Sequence, residues 1–586
     1  MADSPESGAD GIVTLDLRTN GTEIDDKIGV VSVRTRSAIG QIPEAVVIMA
    51  SGNVAEADYP EADSDAFEPG AEIEIKAGYD HKNETIFKGV IVAKRMRVNS
   101  TKGPLLEVMA RDKAIALTRA RKTAFFEKKK DSDVISGIAS DAGLSADVEA
   151  TSSQGDQIQN DVTDWDFLRL LANRNGYVLW ADAGKLMAKE PYTSASADLV
   201  VTLGADMLDF DARVDAQSLI ASASGAAWSS VTQERVTGEG GTLPKATWGD
   251  KTSDKMAKAL AERDHHVATP REVEADDLTT YAKARALQSA LSAMQGSCTF
   301  RGSAKAKTGA MLEIKGVGER FGGTAFIGGI THALKDGSWE TEAMLGLDQN
   351  WASDMPGFGA PPAKSLATPI HGAQIGTVTK LTEDPDGKLR IKVNLVMIGE
   401  EGSEVWARFA QPYSSNNAGI QFMPEIGDEV IVVFLAGDPQ APVVVGSVHN
   451  GKAAQPITPE EENNTKVIVT RSDLRVEFDD DKKIITLKTP GGHSVVLDDE
   501  ETAISLEDSN GNSIKMESSG ITIDSAGSVT IKASSTVDIE ATSDATVKGV
   551  NVTCDASATF KGSGGASAEL AGGGQTKVTG AVVNIN

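Results

Sequence analysis

Apolar residues in the C-terminal part of the chain recur in pairs whose two members are separated by one residue. Such alternation is typical of short β-strands with one buried face. Four consecutive pairs advance by eight residues each time, three earlier pairs follow steps of nine and ten, and three later pairs resume the eight-residue step after one shortened step. In chain order the pairs are Val495/Leu497, Ile504/Leu506, Ile514/Met516, Ile521/Ile523, Val529/Ile531, Val537/Ile539, Ala545/Val547, Val550/Val552, Ala558/Phe560 and Ala566/Ala568.

Each repeat has too few inward side chains to close a core within one chain, because two apolar residues cannot offset the conformational entropy of a whole strand and turn. We therefore predict that residues 466–586 form a needle of three identical, intertwined chains, each supplying one strand per level of a three-sided β-prism. A single-chain parallel β-helix is the alternative, but its longer coils and its signatures are not evident. The residues predicted to face the needle axis are Ile514, Ile521, Ile523, Val529, Ile531, Val537, Ile539, Val547 and Val552.

Residues 370–450 consist almost entirely of strand and turn patterns. Five β runs are separated by turn-forming segments rich in Gly, Pro, Asp and Ser, and this spacing favours a small closed barrel of the OB type. The five predicted strands are Ile375 to Val378, Leu389 to Val396, Val405 to Phe409, Glu429 to Leu435 and Val443 to Val448.

Residues 1–354 mix strands and helices, with strands dominant. Alternating runs on both sides of Asp80 to Asn83 predict a hairpin, and helical patterns begin at Asp131, at Asp164 and at Leu278. The predicted fold class is therefore mainly β with an α+β N-terminal region. Segments 355–369 and 451–465 are predicted linkers between the three regions.

The chain of 586 residues is acidic, with 85 Asp and Glu against 57 Lys and Arg and a formal charge of −28. This charge disfavours binding to nucleic acid and to anionic membrane surfaces. The N-terminal segment lacks the basic start and apolar stretch of a secretory leader, so we expect synthesis in the cytoplasm without a signal peptide.

Individual candidate sites are weak. We expect His265 and His266 to lie in an exposed loop, since no third ligand completes a metal site. Cys298 is expected to be a small buried residue, and the acidic clusters 479–481 and 498–501 to be solvated turns. Lys128 to Lys130 is too short for a nucleic-acid patch. We predict no catalytic, cofactor-binding or metal-binding residues and no cofactor.

The middle region resembles the OB domain of the valine-glycine repeat protein G (VgrG) and phage baseplate spike family. The residues that carry this resemblance are Gly376, Asp386, Gly387, Trp406, Pro424, Gly427, Asp428, Gly437, Asp438 and Pro439. The N-terminal region is similar to the hub of the same family, through short motifs in the family's order. These motifs are Phe67 to Gly70, Ile86 to Gly89, Asp164 to Leu168 and Asn175 to Tyr177.

The resemblance implies a homotrimeric, non-enzymatic spike of a contractile injection system, of type VI, extracellular-particle or phage-tail kind. In that family a hub of two tube-protein-like barrels adapts to a hexameric inner tube, the OB domains form a collar, and the prism contacts the target membrane only mechanically. Baseplate proteins, a PAAR-type tip protein and effector cargo are the implied partners. The linker between barrel and needle is too short for the lysozyme domain of some relatives, and the iron-binding His-x-His motif is not found in the needle.

Two alternatives remain open at the level of sequence. An enzyme, either a cell-wall hydrolase or a toxin, could be assembled by folding in the hub without leaving a motif. A receptor-binding fibre would explain the prism, although it would not explain the hub and the collar.

Overall fold

The computed structural model describes residues 3–5, 11–25, 27–99, 103–152, 154–191, 196–217, 219–242, 248–260, 264–269, 273–348, 363, 367–398 and 404–585. The predicted linker 355–369 lies outside these residues except for 363 and 367–369. The chain forms two compact units, Met1–Ser447 and Val448–Asn586.

The N-terminal region of the first unit is built on strands, in agreement with the predicted fold class. Its strands are β1 (Val13–Thr19), β2 (Thr22–Glu23), β3 (Val30–Ala38), β4 (Glu44–Ala50), β5 (Glu72–Tyr79), β6 (Lys82–Asn99), β7 (Gly103–Arg111), β8 (Arg121–Lys130), β9 (Ser145–Val148), β10 (Gln154–Thr163), β11 (Val178–Asp182), β12 (Lys185–Lys189), β13 (Leu199–Thr202), β14 (Met207–Val214), β15 (Ser222–Ser229), β16 (Glu234–Thr242), β17 (Asp264–Thr269), β18 (Met294–Arg301), β19 (Met311–Lys315), β20 (Gly323–Lys335) and β21 (Ser338–Leu345).

Six α-helices accompany these strands in the described residues. They are α1 (Pro60–Asp63), α2 (Asp131–Asp141), α3 (Asp164–Arg174), α4 (Ser253–Leu260), α5 (Ala275–Ser292) and α6 (Gly318–Phe321). The three helices predicted from sequence are α2, α3 and α5. The Thr163 side chain caps α3 by accepting a hydrogen bond from the backbone N–H of Asp166, which satisfies one of the free donors at the helix start.

One sheet of thirteen strands organises the region. Its order is β14-β18-β21-β20-β3-β4-β7-β6-β5-β1-β2, with β13 and β19 branching from β20. The antiparallel pairing of β3 with β20 joins the early strands to the late ones, and Val33 lies opposite Leu334 there. The predicted hairpin around Asp80 is the β5–β6 turn. The subdivision of residues 1–354 into two tube-protein-like barrels stays a prediction.

Separate apolar clusters stabilise the different parts of this sheet and its helices. Early strands bury Ile75 and Met49 completely, whereas late strands bury Cys298 and Phe300. A third cluster lies around α2 and α3, where Leu168 is fully buried. Each cluster uses alternate residues of its strands, which is what a sheet with one covered face requires.

The predicted five-stranded barrel is confirmed as a closed barrel in the order β22-β23-β24-β28-β27. Its core is formed mainly by valines of alternate strand positions. The strands of this region are β22 (Gln374–Lys380), β23 (Ile391–Leu395), β24 (Glu404–Phe409), β25 (Ser414–Ser415), β26 (Ala418–Gly419), β27 (Glu429–Phe434) and β28 (Pro442–Ser447).

Five residues expected in barrel strands lie outside them, namely Leu389, Arg390, Val396, Leu435 and Val448. Leu389 has a positive φ of 57° and is exposed, because the preceding turn ends there. That turn is held by Asp384, whose carboxylate accepts hydrogen bonds from the Arg390 guanidinium at 2.6 and 3.0 Å. The Arg390 contact holds the pKa of Asp384 well below its usual range. Leu435 begins a 3-10 turn that follows β27 directly.

A buried histidine in β20 makes the stability of the first unit depend on pH. His332 is hydrogen-bonded through Nδ1 to Thr341 Oγ1 at 2.9 Å, and its ring centroid lies 5.8 Å from that of Trp339. Burial, aided by the nearby charge of Lys307, lowers the pKa of His332 to about 3. The imidazole therefore stays neutral in the folded protein at pH values where it becomes protonated in the unfolded chain.

We predict that His332 destabilises the folded protein as the pH falls below about 6.5, which is the ordinary pKa of histidine, towards the lowered pKa of His332 in the fold. Between pH 7 and pH 5 the unfolded chain takes up a proton that the folded chain does not, which costs about 2 kcal/mol. In urea unfolding followed by tryptophan fluorescence, His332→Gln should remove that part of the pH dependence. Replacement of the exposed His493 by Gln is the control, and an equal pH slope in all three proteins would contradict the prediction.

Candidate functional site

The C-terminal unit begins with seven short strands that pair in succession as an antiparallel meander. Each strand has five residues, and tight turns connect them. The strands are β29 (Thr465–Val469), β30 (Arg475–Asp479), β31 (Ile484–Lys488), β32 (Ser494–Asp498), β33 (Ala503–Glu507), β34 (Ser513–Glu517) and β35 (Gly520–Asp524).

The register of the meander places the paired apolar residues in two parallel rows on one face. We call this the two-row face. Directly opposed residues lie in the same row, and each strand contributes its second and fourth residues, one to each row. One row contains Lys466, Phe478, Ile485, Leu497, Ile504, Met516 and Ile521, and the other contains Ile468, Val476, Leu487, Val495, Leu506, Ile514 and Ile523.

Much of the two-row face is exposed in the single chain. The exposed fraction is 39% for Ile504 in the middle of the meander and 61% for Ile523 at its end. The opposite face is mixed: it carries polar residues such as Glu477, Ser505 and Lys515 together with the aliphatic Ile484 and Val496. A contiguous apolar face bounded by polar residues marks an interaction surface, because a monomeric soluble protein rarely leaves such a face uncovered.

Strand pairing within the chain stops at Asp524. The last contacts that tie the following segment back are made by Asn512, whose Oδ1 accepts from Ser525 Oγ at 2.8 Å and from the Ala526 backbone N–H at 3.1 Å. Among the described residues 525–585 there is no strand and no backbone-to-backbone hydrogen bond. The apolar pairs of this segment are exposed, with Ile531 at 71%.

These findings refine the predicted needle in one respect. Sequence analysis predicted three intertwined chains throughout residues 466–586, but the strands up to Asp524 pair within their own chain. The physical reason is the turn chemistry: turns such as Asp508 to Asn512 fold the chain back on itself. The Asp508 carboxylate accepts hydrogen bonds from the Asn512 side chain and from the backbone N–H groups of Asn512 and Asn510, and these bonds lower its pKa.

The predicted axis residues fall into two groups in the structure. Ile514, Ile521 and Ile523 lie together on the two-row face, whereas the other six lie in the segment without strands. Those six are Val529, Ile531, Val537, Ile539, Val547 and Val552, all more than half exposed. Their inward orientation stays a prediction. Sequence reasoning missed the apolar pairs of β30 and β31, although they show the same spacing as the later pairs.

The OB residues singled out by the resemblance lie in strands and turns of the barrel. Gly376 lies in β22, where an added Cβ would be 2.4 Å from Val393 Cγ1, so a side chain does not fit. Gly427 has a φ of 96°, and the neighbouring Asp428 carboxylate accepts from the Glu425 backbone N–H at 2.8 Å.

The remaining OB residues are placed in a similar way. Trp406 is half-buried in β24, and Pro424 precedes the Asp428 turn. Asp386 and Gly387 belong to the Asp384 turn, in which Gly387 has a φ of 63°. Gly437, Asp438 and Pro439 form the turn before β28, where the Asp438 carboxylate accepts a hydrogen bond from the Gln440 backbone N–H. Strand pairing and tight turns explain most of these positions.

The other candidates give no catalytic or metal site. His265 and His266 lie on β17 and not in a loop, so that expectation was wrong; β17 pairs in parallel with β15, and His266 is hydrogen-bonded to Ser224. Cys298 is buried as expected, and burial raises the pKa of its thiol to about 12. Within the described ranges no cluster of three or more His, Cys, Asp or Glu could hold a metal ion.

No helix in the described part of the chain is long and apolar enough to span a bilayer. The acidic clusters lie where they were expected, in the turns between β30 and β31 and between β32 and β33.

Comparison with known families assigns all three regions. Residues 9–336, which make up more than half of the chain, match the family described as the Alg8 N-terminal domain. Residues 374–449 match the type VI secretion system/phage-baseplate injector OB domain. Residues 484–543, which include most of the two-row face, match the phage baseplate V C-terminal trimerisation domain.

Individual relatives match over short stretches. The type VI secretion system spike protein VgrG1a of Pseudomonas aeruginosa is 43% identical over 56 residues, 10% of this chain and 9% of the relative. The actin cross-linking toxin VgrG1 of Vibrio cholerae is 30% identical over 110 residues, 18% of this chain and 10% of the relative. The chain thus spans about a tenth of the length of these curated relatives.

Two solved structures are similar at low identity. The prophage MuSo2 43 kDa tail protein from Shewanella oneidensis has a TM-score of 0.44 and 12% identity, covering 57% of this chain and 98% of its own. The E. coli c3393 protein, a component of the type VI secretion system, has a TM-score of 0.39 and 15% identity, covering 74% of this chain and 99% of its own.

An injector OB domain followed by a trimerisation domain defines the class of baseplate spike proteins. The chain belongs to the Alg8 N-terminal domain family over more than half its length and, with its OB and C-terminal domains, to the VgrG and phage baseplate hub-and-spike family.

The two-row face predicts that a charge placed on it blocks self-association. Ile504→Asp would introduce one unpaired carboxylate per chain into a face that association buries, at a cost of several kcal/mol for each ion. The variant should sediment as a monomer in analytical ultracentrifugation at concentrations where the unchanged protein is associated.

Ser505→Asp is the matched control, because Ser505 follows Ile504 in the same strand and therefore points to the opposite face. It should associate like the unchanged protein. If both variants associate equally well, the two-row face is not the interface.

Proposed function

We propose that the chain functions as the trimeric spike at the tip of the inner tube of a contractile injection system. The observation that carries this proposal is the combination of the two-row face with a following segment that has neither strand pairing nor a covered apolar side. Both features require other chains, and the match of residues 484–543 to a trimerisation domain supports three copies.

The two-row face fits a three-sided prism. Five-residue strands rise about 3.3 Å per residue, so one meander makes a ribbon about 17 Å wide. Three such ribbons, each with two apolar residues per strand turned inward, close a triangular column around one axis. Burying the exposed part of each aliphatic side chain contributes on the order of 1 kcal/mol, repeated along seven strands of three chains.

The segment 525–585 needs a different arrangement. Its backbone groups lack partners within the described chain, and a backbone group buried without a partner is costly. Strand pairing between the three chains would satisfy these groups and would leave no free edge. We therefore propose that the needle is a three-sheet prism down to Asp524 and an intertwined prism beyond it.

The rest of the spike follows from the family. We propose that the N-terminal region forms the hub, with two tube-protein-like barrels per chain that adapt the three-fold needle to the hexameric inner tube. The OB barrels would form the collar. Baseplate proteins, a PAAR-type tip protein and effector cargo are the proposed partners, and contraction of the sheath would deliver the spike outward.

We propose that the spike is not an enzyme. The target membrane would be pierced mechanically, with stiffness supplied by the prism and work supplied by the sheath. One relative is named as an actin cross-linking toxin, but the matched stretch is 10% of that protein. Purified protein should leave peptidoglycan and actin unchanged in turnover assays, and any catalytic release of muropeptides or formation of actin oligomers would contradict this part of the proposal.

The intertwined part of the needle can be tested at Ile531. Ile531→Asp would place three like charges around one axis without partners, so the trimer should dissociate or lose its distal needle. Multi-angle light scattering would then report a smaller mass or a larger hydrodynamic radius than for the unchanged trimer.

Thr530→Asp changes the neighbouring residue of opposite strand parity and serves as the control, with the trimer expected to remain intact. A stable trimer with unchanged radius for Ile531→Asp would show that Ile531 does not face the axis. A folded, monomeric unchanged protein at micromolar concentration would contradict the spike itself.

A further inference from the structure

The first unit contains an open cleft whose charge is opposite to that of the protein. Its volume is about 450 Å3, and it is lined by residues of β3, α3, β14 and α5 and by the chain that follows β21. Arg36, Arg169 and Arg213 line it, with Asp348 as the single acidic residue among the described lining residues. Three arginines thus line one cleft in a chain whose formal charge is −28.

Arg169 is one of the less exposed arginines of the cleft. Its side chain is only 15% exposed, and it lies 3.5 Å from the carboxylate of Asp166, which also accepts a hydrogen bond from Thr163 Oγ1 at 2.8 Å. Burial lowers the pKa of the Arg169 guanidinium. A positive charge held in such a poorly solvated place attracts an incoming anion more strongly than a surface arginine does.

The other two arginines carry charge that the fold does not neutralise. Arg36 makes no ion pair with any described residue. Arg213 donates from Nη2 to the side-chain oxygen of Gln295 at 2.9 Å, which is a neutral partner. By contrast, Arg111 and Arg97 on the same sheet are paired with Glu44 and Glu107 at 2.7 Å.

A glycine turns the chain beside Arg169. Gly40 has a φ of 70°, and a Cβ added to it would lie 3.4 Å from Arg169 Nε, which is an ordinary contact distance. The positive φ is what favours glycine here, because a larger residue would strain the backbone. The cleft also has an apolar wall. Leu287 and Leu291 of α5 contribute to it, and so does Leu347, which follows β21.

We propose that this cleft binds an acidic peptide segment of a partner protein, with carboxylates on Arg36, Arg169 and Arg213 and apolar side chains against the leucines. Arginine suits carboxylates because its planar guanidinium can donate two parallel hydrogen bonds. Nucleic acid does not fit, because an extended phosphate backbone needs a larger basic footprint than three arginines in a chain of formal charge −28. The proposal is independent of the needle and holds whether or not the chain trimerises.

The test uses the full-length protein and two fluorescein-labelled peptides, acetyl-Glu-Leu-Glu-Leu-Glu and acetyl-Gln-Leu-Gln-Leu-Gln. In fluorescence anisotropy at low ionic strength, the glutamate peptide should bind at least tenfold more tightly than the glutamine peptide. Arg36→Gln should weaken binding of the glutamate peptide at least tenfold, and Arg169→Gln should do the same if it folds. Added salt should weaken the binding, as expected for an interaction between charges.

Arg97→Gln is the matched control, because Arg97 belongs to the same sheet and does not line the cleft. Binding of the glutamate peptide should be unchanged in this variant, and thermal unfolding should confirm that Arg36→Gln is folded. The proposal is overturned if the glutamine peptide binds as tightly as the glutamate peptide, if neither peptide binds, or if folded Arg36→Gln binds as tightly as the unchanged protein.

Discussion

The C-terminal unit depends on one constraint: its apolar two-row face must be removed from water, and within the described residues of this unit that face stays largely exposed. The meander satisfies its own backbone through antiparallel pairing, which leaves two rows of aliphatic side chains on one side. The segment after Asp524 satisfies neither its backbone nor its side chains within the described chain. In the proposed trimer, folding and assembly of this unit are one process, because the same contacts that associate the chains would complete the fold.

In the first unit, by contrast, apolar cores form within the chain. The sheet, the helices and the barrel each have such a core, in which Ile75, Leu168 and Val393 are completely buried. Some of its charged groups are also paired locally, for example Asp384 with Arg390 at a barrel turn. In the proposed spike this unit would form the platform, and the needle would gain its stiffness from the combination of its chains.

The cleft of the first unit differs both from the exposed two-row face and from the buried cores. It is neither a packed core nor a neutral surface, since it combines arginine side chains with leucines of α5. Three arginines and a single aspartate are among the described residues that line this opening, although acidic residues outnumber basic ones in the chain as a whole. Such a concentration favours recognition, because electrostatic complementarity selects partners and speeds their encounter.

Sequence alone determined the elements whose signal is local. The two-residue period of the paired apolar residues established strands in the meander, and the five β runs established the barrel, because alternation and turn residues act over a few neighbouring positions. The starts of α2 and α3 could be predicted for the same reason. The family resemblance of the middle region also followed from short motifs, which can be recognised without knowledge of the fold.

Tertiary structure alone decided which of these elements meet. Pairing of β3 with β20 joins residues about 300 positions apart, and no local pattern specifies it. The same holds for Arg36, Arg169 and Arg213, which carry no common motif and come together only because β3, α3 and β14 line one cleft. Likewise, the paired apolar residues indicated a needle strand, but only the turns between strands decided that pairing stays within the chain as far as Asp524, since register depends on how each turn closes.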